Sequence, residues 1–121
     1  MAVGVVYGFK NIPEQNAIKE VEGTAIFLSG RLQPQDRIAM DYPLDVTFWY
    51  YARLHGISQD YIFNVPGRPY NHVYIIVNTN YEQTVITVLQ TRVKDGVFCN
   101  PRTIQKIKTI DNTEIYECDT P

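Results

Sequence analysis

Cysteine is scarce in this chain of 121 residues: Cys99 and Cys118 are the whole supply. They form no C-x-x-C pair and have no second histidine near them, so neither a zinc finger nor a disulfide framework is indicated. The plain reading is two reduced structural thiols, with a single bridge between them as the other option. Charge of one sign is also lacking. Eleven basic side chains stand against 13 acidic ones, for a formal charge of −2, which removes the electrostatic attraction behind general nucleic-acid or anionic-membrane binding. Long apolar runs are absent. The longest, residues 24–28 and 73–77, fall far short of the roughly 20 residues a membrane-spanning helix needs. No charged and then apolar leader opens Met1–Lys10, so secretion through a signal peptide is not expected.

What is present is tyrosine. Nine Tyr and five Phe with one Trp make 12% of the chain aromatic, and such amphipathic rings suit half-exposed strands and interfaces. The apolar fraction of 45% and charged fraction of 20% are those of an ordinary globular domain, and the length suits a single domain over 1–121. No internal repeat or low-complexity segment divides it.

Punctuation then sets the elements. Val3–Phe9 reads as a strand stopped by Lys10-Asn11-Ile12-Pro13, and Glu14–Glu22 suits a short helix or an exposed strand. Thr24–Leu28 and Arg37–Met40 are compact apolar runs. Leu44–Gly56 is the best helix candidate, with Asp45 near its start and Gly56 at its end, although Val46–Tyr51 also suits a strand. Tyr61–Val65 and His72–Val77 read as strands on either side of the Pro66–Pro69 bend. Thr84–Val93 reads as a strand turning at Lys94-Asp95-Gly96 into Val97–Cys99; a capping box at Thr79 and Glu82 offers a helix over 80–93 instead. Thr103–Ile110 and Thr113–Cys118 close the chain as a hairpin about Asp111-Asn112. Across that hairpin the basic Lys106 and Lys108 would meet the acidic Glu114 and Glu117. Strand-like runs roughly every 8 to 12 residues predict a β-rich α+β domain, a small antiparallel sandwich or barrel with one or two helices.

Reactive constellations are thin. His55 sits where a helix C-terminus favours a cation, and His72 lies at a strand entrance beyond the proline-bounded loop. A Cys99–His72 nucleophile set can be drawn, yet no activating motif surrounds the thiol. Asp36, Asp41, Asp45 and Asp60 are scattered in turns, where aspartate is common for backbone reasons. Gly4 and Gly8 lack the third glycine and following helix of a phosphate cradle, and Ser29 and Ser58 lack a nucleophile elbow. No catalytic residue, cofactor or metal site is predicted.

One set of segments resembles the second lobe of bacterial extracellular solute-binding proteins for amino acids: Leu28-Ser29-Gly30-Arg31, Asp36 through Pro43, Asp60-Tyr61-Ile62-Phe63, and Leu89-Gln90 to Lys94-Asp95-Gly96. That resemblance implies a ligand-binding lobe in which Asp41 holds the ligand's amino group. It supplies the alternative function, a soluble ligand-binding domain, beside a small enzyme using the Pro66–His72 loop. The leading expectation is different: a non-enzymatic structural subunit of a homo- or hetero-oligomeric assembly, with a virion or phage particle component (decoration, connector or tail protein) as the natural example and the virion or cytoplasm as its location. Its expected contact residues are Trp49, Tyr50, Tyr51, Arg68, Tyr70 and His72.

Overall fold

The computed structural model describes residues 18–62 and 69–121. Helix α1 occupies 18–29, followed by β1 (Asp36–Ala39), α2 (Leu44–Leu54), β2 (His72–Asn78), α3 (Val85–Arg92), β3 (Gln105–Ile110) and β4 (Thr113–Asp119). The four strands form one sheet in the order β1-β2-β4-β3, with β1 parallel to β2 and the other neighbours antiparallel. This is a small α+β fold.

Period-2 alternation in β2 divides its side chains between two cores. Tyr74 and Ile76 point to the side where Val21, Ala25 and Leu28 of α1 and Leu44, Phe48 and Ala52 of α2 pack, together with Ile38 and Ile115. Val73, Ile75 and Val77 point to the opposite side, against Val88 of α3, Val97 and Cys118. A strand covered on both faces reads as a continuous apolar run, which is why 73–77 is the most hydrophobic stretch of the second half.

The sandwich or barrel is corrected by this arrangement. The sheet is open and mixed, and among the described residues the layers on its faces are helices instead of a second sheet. Two segments make the difference: on sequence alone one is a compact apolar run, and the other reads as a strand with a helix as the alternative. Residues 24–28 belong to α1, whose 21, 25 and 28 positions fall on one helical face. Residues 85–92 are α3, capped by Thr84: its Oγ1 accepts from the Thr87 N–H at 3.2 Å while Thr87 Oγ1 accepts from the Thr84 N–H at 2.8 Å. The capping box therefore lies five residues beyond the one suggested by Thr79 and Glu82, which instead frame a short 3-10 turn. Asp95-Gly96 closes another such turn, Val93–Asp95, with Gly96 left-handed at φ 80°, and turns no hairpin. Residues 97–99 are irregular.

Other expectations stand. The helix over 44–56 is α2, ending one residue before the C-cap His55, and Gly56 takes the left-handed φ of 77° that a residue with a Cβ resists. The closing hairpin forms about Asp111-Asn112. Of the charge pairs expected across it, Lys106 Nζ reaches Glu114 at 3.5 Å, whereas Glu117 meets Gln105, His72 and Arg31, and Lys108 stands opposite Ile115. Glu20 ties that turn to α1: one fully buried carboxylate oxygen accepts from the Asn112 N–H and the Thr113 hydroxyl, while its other oxygen meets no donor among the described residues. Cys99 and Cys118 are bridged, which corrects the expectation of free thiols; the bond fastens the irregular segment after α3 to β4. The Val3–Phe9 strand lies outside the described residues, as do 63–65 of the Tyr61–Val65 strand, and Tyr61 itself ends the 3-10 turn Gln59–Tyr61.

Candidate functional site

Two surfaces gather the expected site residues. The first is the outer side of α2. Its buried row, Leu44, Phe48 and Ala52, leaves a second apolar row at the same four-residue spacing: Val46 is 68%, Tyr50 52% and Leu54 60% exposed, and Tyr42 just ahead of the helix is 74% exposed. Trp49 and Tyr51 flank this row half-buried, packed against the α1/α2 core. The Arg53 guanidinium lies over the Trp49 ring at 5.7 Å, and the Tyr50 and Tyr51 rings meet edge-to-face at 5.1 Å. Sequence reasoning found the three aromatics here and missed Val46 and Leu54. The signal was present, because an 11-residue helix with two apolar rows carries more hydrophobic surface than one core contact uses.

The second surface is the His72 end of the sheet. Register places Asp36 directly opposite His72, and Glu117 opposite Tyr74, all on the α1/α2 face. His72 Nδ1 stands 3.2 Å from Asp36 Oδ1 and Nε2 3.0 Å from Glu117 Oε1, so the imidazolium form donates to a carboxylate from each nitrogen. Asp36 Oδ2 also accepts the Gln33 N–H at 2.7 Å, and Glu117 Oε2 accepts from Gln105 at 2.8 Å. Arg31 approaches Glu117 at 3.8 Å. The Gln105 hydrogen bond, aided by His72 and Arg31, holds the Glu117 carboxyl below its usual range despite partial burial. Burial lifts the Tyr74 phenol above its own, against the pull of Arg31.

Chemically, this cluster is a pin across three strands. A general base needs an imidazole lone pair facing substrate, and both nitrogens of His72 face carboxylates. Cys99 is in the disulfide, so the Cys99–His72 nucleophile set does not form. Tyr70 is half-buried with the Arg37 guanidinium over its ring at 5.5 Å. Arg68 lies outside the described residues, as do Pro66 and Gly67 of the loop before it. The expected contact set therefore splits: Trp49, Tyr50 and Tyr51 share the α2 surface, while Tyr70 and His72 sit at the sheet end. His55 caps α2 with its backbone and directs Nε2 toward Glu22 of α1 at 3.6 Å.

Asp41, the residue implied to hold an amino group, follows β1 and is already engaged. Its Oδ1 accepts the Tyr42 N–H at 2.8 Å and stands 3.9 Å from Arg92, while Thr91 Oγ1 donates to Oδ2 at 3.3 Å. Among the described residues no group of three or more His, Cys, Asp or Glu side chains could hold a metal ion, and no helix is long and apolar enough to cross a membrane. No family model, curated protein or solved structure matches the chain.

Proposed function

We propose that the protein is a non-enzymatic assembly subunit that meets other protein subunits through the outer face of α2. The observation that carries this reading is the exposed row Val46, Tyr50 and Leu54 with Tyr42 ahead of it. Covering a large apolar side chain is worth roughly 1.5–3 kcal/mol, and an apolar surface gathered in one place marks a contact more often than chance exposure does. The sheet edges favour the helix as the contact. β3, at one edge, exposes Lys106 and Lys108, which oppose strand addition, and β1 at the other is only four residues long. The engaged state of His72 and Cys99 removes two side chains on which a reaction would most naturally be built. The bridged cysteine pair suits a chain that matures in oxidising surroundings, which we favour over a cytoplasmic location. The proposal is of an assembly subunit in general; among the described residues none points to a virion or phage particle as its setting.

The test is the size of the native protein in an extract of its source. The reading expects a species well above the mass of one chain that Tyr50→Glu shifts down to that mass. A native protein that elutes as a single chain overturns the reading, as does a large species that Tyr50→Glu leaves intact.

A further inference from the structure

Beside the apolar row of α2 runs a second row at the same spacing, Asp45, Trp49 and Arg53, with its acid in the first turn and its base in the last. Residues four apart stack along one helix face, so the two rows lie side by side, centred one residue apart at Trp49 and Tyr50. A two-fold axis perpendicular to the helix at that point maps both rows onto themselves. Val46 then lies against Leu54 of the copy and Tyr50 against Tyr50, while each Asp45 faces the other chain's Arg53. We propose that the occupant of this face is a second copy of the same chain, with α2 antiparallel to α2. The inference rests on the assembly reading above and names its partner.

Charge complementarity decides the orientation. A parallel pairing would set Asp45 against Asp45 and Arg53 against Arg53, and would align the two helix dipoles head to head. The antiparallel pairing opposes both. The Arg53 guanidinium already lies along its row over Trp49, so little side-chain freedom is lost when it meets an acid across the axis. An isologous contact of this kind closes on itself and stops at a dimer. Eleven helical residues span about 16 Å, a short seam, so the association is weak and reversible.

Sedimentation equilibrium on the purified full chain tests this over a range of concentrations. A monomer–dimer equilibrium that weakens with salt is expected. Asp45→Arg or Arg53→Asp alone sets like charges face to face and weakens the dimer about tenfold. The double variant Asp45→Arg/Arg53→Asp restores it, although both changes oppose the helix dipole, so the rescue cannot come from α2 stability. Should a reversal unfold the chain, Asp45→Asn and Arg53→Gln carry the same test, each weakening the dimer about threefold. A dimer indifferent to the single reversals, or not rescued by the double variant, overturns the inference. A purified monomer beside a large species in the source extract overturns it and leaves the assembly reading standing; a single-chain mass in both overturns both.

Discussion

His72, expected at a surface contact, is tied into the fold through two carboxylates. The sequence marks it as a strand-entrance histidine but not its neighbours, because Asp36 and Glu117 are 36 and 45 positions away and meet it only through the β1-β2-β4 register. That pairing is a property of the sheet, invisible to local pattern. Its energetic signature is pH-dependent. Glu117 has a folded pKa below its ordinary 4.5, from the Gln105 hydrogen bond first and then His72 and Arg31. A carboxyl so lowered contributes stability that is complete above its unfolded value and is lost as pH falls through the folded one. Urea unfolding from pH 7 to pH 3 is therefore expected to show Glu117→Gln less stable than wild type by a constant margin at neutral pH, with the margin shrinking below about pH 4.5. A margin unchanged down to pH 3 would contradict the role given to this carboxylate.

At the scale of elements, local signals succeed where the chain is its own context. The α2 C-terminus follows from Gly56, whose left-handed φ ends the helix, and the final hairpin follows from Asp111-Asn112, with Asp111 at φ 51°. They fail where β-branched residues form helices. Val85, Ile86, Thr87 and Val88 have strand propensity, yet the reciprocal Thr84–Thr87 cap and the burial of Val88 against β2 override it. Thr24–Leu28, a compact apolar run with no assigned element on sequence alone, joins α1 through the packing of Ala25 and Leu28 under the sheet. The disulfide was open on sequence alone, because 19 residues of separation do not reveal whether two cysteines approach. Closing that loop is worth about 3 kcal/mol, and it fastens a segment with little regular structure of its own. Cys99→Ala/Cys118→Ala is accordingly expected to lower the unfolding free energy by about 2–4 kcal/mol in urea, and a loss under about 1 kcal/mol would show that the bridge stabilises little.

For the whole molecule, helices among the described residues lie on both faces of the sheet, and its edges are short or lysine-bearing. Ile18, Ile26, Tyr81, Ile86, Val93 and Phe98 are also exposed, but the row of exposed apolar side chains at helical spacing is Val46, Tyr50 and Leu54 of α2 with Tyr42 ahead of it. The candidate site was half legible. Trp49, Tyr50 and Tyr51 announced aromatic surface, but only the helical geometry separates Tyr50 from its half-buried neighbours and lines it up with Val46 and Leu54. Buried Phe48 and exposed Tyr50 are two residues apart, which puts them on opposite sides of α2. Hydroxyl-radical footprinting of the native protein in its source extract, read beside the dilute purified chain, addresses the central claim most directly. Tyr50 and Leu54 are expected to be strongly oxidised in the dilute chain and protected in the native state, while the exposed Phe98, next to Val97 of the α3-side core, reacts equally in both. Equal labelling of Tyr50 and Leu54 in the two samples would contradict it.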